Sequence, residues 1–387
     1  MAHRPRRALQ SEFVRTFRSR GHAARTASEP PGLRSAAEPL PNRTRPKGTA
    51  MTQQPVRIGL IGTGRIGQVH AASIAASPEA VLSWVADPFI AGASAVAERY
   101  GAIATESAEQ LIASGEVDAI LIASPTPTHV DLIEASVRAG LPVLCEKPID
   151  LDIARVDALR PLIAASGVPV ALGFNRRFDP NHASARARVR AGEIGALEQL
   201  IIISRDPAAP PAEYIGVSGG IFRDMTIHDF DMARFFTSDD RIVAVSATGA
   251  RTFDAGAREH GDFDTAVVTL QTESGAIVTI VNSRHSAIGY DQRMEAFGAT
   301  GMLQVGNPQQ NTVVLSNGDA VEARPPYPEF FLERYATAYA AELGEFVRLV
   351  RGEPSTSPTF DDGRAALILA DAAQRSAETG ATVGVEL

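Results

Sequence analysis

The chain has 387 residues, 44% of them hydrophobic and 21% charged, which suits a soluble globular protein with cores for two domains. Its charge is split: residues 1–50 carry eleven basic groups against three acidic, and the rest 26 against 42, an acidic body that argues against nucleic acid as a main partner. No run approaches the ~20 apolar residues of a membrane span, a single cysteine (Cys145) excludes an internal disulfide and fits a reducing, cytoplasmic setting, and no paired Cys/His spacing suggests a metal.

The Arg-, Ser- and Pro-rich leader is expected to be disordered. Met51-Thr52-Gln53-Gln54-Pro55 reads as a natural start, which would make residues 1–50 an upstream start-site artefact; an organelle transit peptide and a basic binding arm are the alternatives. Predicted strands over 56–61, 81–86, 119–123, 142–145 and 168–172 then alternate with helices over 66–76, 91–100, 129–139 and 154–165. Near-continuous apolar strands between amphipathic helices imply a parallel sheet covered on both faces, so residues 51–174 read as a doubly wound Rossmann domain in an α/β protein.

The texture changes after Gly173. An Arg-studded helix (183–191) leads to a strand (197–204), a Pro-rich loop (206–211) and a helix predicted as one piece over 221–236. Runs over 243–252, 263–271, 277–283 and 293–297 alternate polar and apolar residues, as in a mostly antiparallel sheet with one open face. Helices near 330–349 and 361–377 close residues 175–387, which read as a C-terminal α+β domain.

Gly62-Thr63-Gly64-Arg65-Ile66-Gly67 follows the first strand and opens the first helix. In that context Gly62 permits the tight turn, Gly64 lets backbone approach a pyrophosphate and Gly67 lets helix pack on strand, while the helix N-terminus offers amide donors. Asp87 ends the second strand, where a carboxylate can accept from both ribose hydroxyls and repel a 2′-phosphate; this points to NAD over NADP. An N-cap ahead of Pro88 is the alternative role for Asp87, and a nearby Arg65 would soften the preference.

Lys147 is the only lysine from Met51 to Leu387, in a chain that otherwise writes arginine for its cations. A compact ammonium is needed where a planar guanidinium cannot enter, so Lys147, in Glu146-Lys147-Pro148 at a strand end, is read as functional. Ser124-Pro125-Thr126-Pro127-Thr128-His129 follows the preceding strand on the same carboxyl edge. Asp224, His228 and Asp231 recur at helical spacing on an otherwise apolar helix, a polar stripe expected to face a cleft, with a network of polar partners as the alternative.

These motifs, with Gly173-Phe174-Asn175-Arg176-Arg177-Phe178-Asp179 and the string from Gly219 to Asp231, resemble the glucose–fructose oxidoreductase/inositol dehydrogenase family. The resemblance runs from about Val56 to the C-terminus. It implies NAD-dependent oxidation of a cyclic polyol, myo-inositol at its 2-hydroxyl, with scyllo-inositol or glucose as nearest rivals and a non-catalytic NAD(H)-binding sensor as a more distant one. It further implies His228 as general base, Asp224 orienting its imidazole, and Lys147 donating to the reacting oxygen. Arg177, Asn282 and Tyr290 match positions near the family's substrate pocket, a salt bridge being the alternative for Arg177. Ser124, Thr126, His129 and Glu146 fall beside the cofactor, with His129 otherwise merely starting its helix. A cis Lys147–Pro148 bond and a homotetramer are implied in the same way.

Overall fold

The structure, a computed structural model, describes residues 54–387; the leader and the start read at Met51 lie outside the described residues. Along the first half run β1 (Val56–Ile61), α1 (Arg65–Ala76), β2 (Ala80–Ala86), α2 (Ile90–Tyr100), β3 (Ile103–Thr105) and α3 (Ala108–Ile112). There follow β4 (Ala119–Ile122), α4 (His129–Arg138), β5 (Val143–Cys145), α5 (Ile153–Ser166) and β6 (Val170–Leu172). The six strands form one parallel sheet in the order β3-β2-β1-β4-β5-β6. Alternate residues serve opposite faces: Ile58, Leu60 and Leu121 share a core with Ala71 and Ile74 of α1, while Ile120, Ile122 and Val143 share another with Val130, Ile133 and Val156. β3 and α3 fall in a stretch that periodicity leaves unassigned, being three and five residues long.

The second half runs α6 (Pro180–Arg190), β7 (Leu197–Arg205), α7 (Ala212–Ile215), α8 (Gly220–Asp224), α9 (Ile227–Thr237), β8 (Ile242–Ala250) and α10 (Ala255–Glu259). It continues with β9 (Thr265–Thr272), β10 (Ile277–Ser283), β11 (Asp291–Gly298), β12 (Gly301–Val305), α11 (Phe331–Arg334), α12 (Ala336–Val350), α13 (Phe360–Thr379) and β13 (Val383–Gly384). Its seven-stranded sheet, β12-β11-β7-β10-β9-β8-β13, is antiparallel except where β7 and β10 run parallel. Leu200, Ile202, Val268, Leu270 and Ile280 bury one face in a core that includes Phe230, Phe236 and Leu369. The opposite face leaves Val267, Ile277, Phe297 and Met302 each more than 40% exposed. α12 does not stay with this sheet: its Leu343, Phe346 and Val347 enter the core formed by Leu60, Leu121 and Ile74 of the first.

One element differs from expectation in a way that matters for the site. The helix read over 221–236 is two, α8 ending at Asp224 and α9 starting at Ile227. Neither Pro nor Gly marks the break. Thr226 makes it: its amide reaches back five residues to the Ile221 carbonyl, and its buried hydroxyl bonds Asn282 Oδ1 at 2.6 Å. Asp224 and His228 therefore do not share one continuous helical face.

Candidate active site

The glycine loop lies where β1 and β4 part, at the carboxyl edge of the parallel sheet. Gly62 holds φ +97°, and a Cβ there would lie 2.6 Å from the Ala123 backbone; a Cβ on Gly67 would lie 2.2 Å from the Gly62 carbonyl. Gly64 differs, with nothing within 4 Å of the Cβ position, and it starts α1 with no side-chain cap. The amides of that first turn are thus free for phosphate oxygens, and the open space over Gly64 admits them. Asp87 carries Thr63 on one oxygen (amide 2.8 Å, hydroxyl 2.7 Å) and the Phe89 amide on the other at 2.9 Å. Despite the cost of burial, these donors draw its pKa below the ordinary carboxylate range. It ties the strand end to the glycine loop; the residue that precedes α2 is Phe89.

Lys147 stands beyond β5, its peptide to Pro148 cis. Its Nζ donates to the backbone carbonyl of Asp224 at 2.9 Å, linking the first sheet's edge to the end of α8. Glu146 is buried and turned the other way, with Oε1 2.8 Å from His70 Nε2 on α1. His129 is buried too, its ring nitrogens each 2.8 Å from a carbonyl, of Ser124 and of Pro148. It is a strut between the loops after β4 and β5. Ser124 bonds Thr128 at 2.7 Å, and Thr126 begins the short turn ahead of α4.

Asp224 uses both carboxylate oxygens: Tyr214 Oη donates to Oδ1 at 2.9 Å and Arg284 Nη1 to Oδ2 at 3.2 Å. Neither bond goes to His228, so the expected orienting contact is not made. The imidazole instead packs edge-on to Phe174 (6.2 Å between centroids), with Nδ1 buried and unpartnered among the described residues. Burial, reinforced by the positive charges of Lys147 and Arg176, holds the His228 pKa well below the usual histidine range.

The remaining predicted contacts divide. Arg177 is engaged by Asp231 at 2.6 Å and Asp362 at 3.1 Å, with Arg234 on the same Asp362, so Asp231 faces an ion-pair network instead of the cleft. Asn282, fully buried, bonds Thr226 and donates to Asp229 Oδ2 at 2.8 Å, supporting the α8–α9 break from behind. Tyr290 lies in an aromatic cluster with Tyr335 and Phe330. Several neighbours were not singled out from sequence. Arg176, not Arg177, sits close enough to depress His228; it is held by Asp229 at 2.6 Å and Ser204 at 3.0 Å. Asp206, one residue past β7, has its pKa pushed up to about 6 by burial, with Asp224 adding and Arg176 opposing. Strand-end placement was the one available signal for it.

Comparison with known proteins bears on this geometry. Residues 56–174 match an oxidoreductase family with an NAD-binding Rossmann fold, and residues 182–304 match the GFO/IDH/MocA C-terminal domain. The chain is 46% identical over 321 residues to an inositol 2-dehydrogenase of Rhizobium meliloti (strain 1021), spanning 83% of this chain and 96% of that protein. Its fold superposes with a TM-score of 0.83 on a myo-inositol dehydrogenase from Corynebacterium glutamicum ATCC 13032, at 53% identity over 86% and 99% of the two chains. A scyllo-inositol dehydrogenase from Lactobacillus casei, with bound NAD(H) and scyllo-inositol, superposes at 0.79, with 30% identity over 86% and 99%.

Proposed function

Because the chain belongs to the GFO/IDH/MocA family of NAD-binding oxidoreductases, we propose that it oxidises myo-inositol at its 2-hydroxyl to the 2-keto inositol, scyllo-inosose. The observation that carries this reading is the meeting of Lys147 Nζ with the Asp224 carbonyl at 2.9 Å, beside a buried His228, at the edge where the glycine loop opens. Bound NAD supplies the hydride acceptor.

The chain's own groups manage the proton and the charge. His228, kept neutral by its surroundings, takes the hydroxyl proton. Lys147 spends one of its three donors on Asp224 and keeps two for the oxygen on which alkoxide charge develops. The Asp224 carboxylate, fixed by Tyr214 and Arg284, accepts from a second ring hydroxyl. Gly62, Gly64, Arg65, Ile66, Gly67, Asp87, Ser124 and Thr126 border the cofactor, and Asp87 favours NAD over NADP. A homotetramer in the cytoplasm completes the reading; the apolar face bearing Val267, Ile277, Phe297 and Met302 supports the assembly.

Steady-state rates with NAD on myo-inositol, scyllo-inositol, other inositols and glucose test the assignment. The highest kcat/KM is expected on myo-inositol. A clear preference for scyllo-inositol or glucose would move the chain to a neighbouring specificity, and no turnover of any polyol would end the enzymatic reading.

A further inference from the structure

We propose that Arg284 is a positioning residue for this reaction: a buried strut that fixes the Asp224 carboxylate and, through the Asp224 carbonyl, the head group of Lys147. The inference deepens the dehydrogenase reading and rests on it.

Arg284 follows β10 directly and is 1% exposed, so it acts through the side chains it holds. Its backbone is pinned, with its amide donating to the Asp264 carbonyl at 2.8 Å. The Asp264 side chain in turn collects the amides of Thr252, Phe253 and Asp254 at 2.8–2.9 Å. From this anchor the guanidinium reaches two carboxylates at once. Nη1 lies 3.2 Å from Asp224 Oδ2, and Nη2 lies 3.2 Å from Asp262 Oδ2.

Those two acids sit at opposite ends of α8. Asp262 Oδ1 accepts from the Ile221 amide at 2.9 Å, holding the first turn. Gly220 is needed for that approach: it has φ +83°, and a Cβ there would lie 2.8 Å from Asp262 Oδ1. Asp224 is the last residue of α8, and its carbonyl receives Lys147 Nζ. A helix of five residues has little stability of its own, so its ends are placed by what grips them. One guanidinium grips both.

The way Arg284 is used favours positioning over simple stabilisation. Its Nε is buried with no hydrogen-bond partner among the described residues, a group that costs free energy when left unpaired. The fork is aimed at the two acids at the expense of its own third donor. Only a planar cation with separated donors can span both carboxylates; an ammonium is a single point and reaches one. Other ionisable groups near Asp224 include Tyr214, bonded to Oδ1, Asp206 beyond β7, and Lys147 on its carbonyl.

The chain holds only two lysines, Lys47 and Lys147, so lysine-selective 13Cε labelling of the full-length protein reports Lys147 as one of two signals. Arg284→Met and Arg284→Lys are compared with wild type by this signal, by NAD binding, and by kcat and KM on whichever polyol wild type turns over. Arg284→Met is expected to leave NAD affinity within about twofold, to shift the Lys147 signal, and to lower kcat by about 10- to 100-fold, the scale of a misplaced catalytic group. Arg284→Lys should recover part of kcat and move the signal partway back. A kcat within about threefold of wild type together with an unmoved Lys147 signal overturns the proposal. If Arg284→Met fails to bind NAD, Arg284→Lys is judged by the same two criteria. If wild type oxidises no polyol, the dehydrogenase reading fails by itself, and an unmoved Lys147 signal still overturns the strut.

Discussion

Lys147 shows how much one side chain's shape can decide. Its Nζ is seated against the Asp224 carbonyl at 2.9 Å, between the carboxyl end of β5 and a short helix. A guanidinium is wider and planar and would have to displace α8 to make the same contact. Lys147→Arg is therefore expected to leave NAD affinity near normal and to lower kcat at least about tenfold, read by isothermal titration and steady-state kinetics. Composition alone exposed this position, because lysine is so rare in the chain. The neighbouring arginines were not separable in that way. Arg176 and Arg177 are adjacent on one short turn, Asn175–Phe178, which sends the first to Asp229 and the second to Asp231. Which of two identical side chains meets the cleft depends on that turn, and nothing in the sequence fixes its phase.

Apart from the short β3 and α3, strands and helices of the parallel sheet were legible because burial on both faces leaves apolar runs that end at turn residues. The same logic made the glycine loop readable, and the structure separates its glycines by what a methyl group would meet. Gly67→Ala drives a Cβ to 2.2 Å from the Gly62 carbonyl, backbone that cannot move aside. Gly64→Ala meets nothing within 4 Å, and Gly64 has an ordinary extended conformation (φ −62°, ψ −171°). Thermal melts and NAD titrations of the pair should thus split. Gly67→Ala lowers both melting temperature and NAD affinity, whereas Gly64→Ala melts within a few degrees of wild type and loses only affinity. Equal melting temperatures for both variants would contradict the packing role of Gly67. The α8–α9 break escaped the sequence because its cause is tertiary: Thr226 turns to Asn282, 56 residues away, and helix propensity carries no trace of that bond.

At the scale of the whole molecule the two sheets are joined by a returning chain, with α12 buried against the first sheet after six of the second sheet's seven strands and before β13 completes it. The joint is polar. Arg334, just before α12, pairs with Asp179, whose Oδ1 accepts from the Asn181 and His182 amides at the start of α6. His182 sits inside this joint, its Nδ1 3.7 Å from Asp179 Oδ1 and without a hydrogen-bond partner among the described residues. Burial lowers its pKa to about 4; Asp179 opposes the shift, while Arg334 and Arg176 add to it. The sign of the consequence follows from linkage. Unfolded His182 titrates near 6.5 and folded His182 near 4, so between those values the unfolded chain binds the extra proton and is favoured. Stability from this group is complete above about pH 6.5 and drains away as pH falls toward 4, by about 3 kcal/mol at most. Asp206, raised to about 6, works in the opposite direction over much of the same range, so the wild-type pH profile alone would mix the two. A difference measurement isolates the histidine. His182→Gln keeps a polar side chain and the backbone bond to Asp179 but cannot titrate, so its stability relative to wild type should rise steadily from pH 6.5 to 4. Urea unfolding of both proteins at half-unit pH steps reads that gap, and a gap that stays constant across the range would show that His182 is not held neutral in the joint.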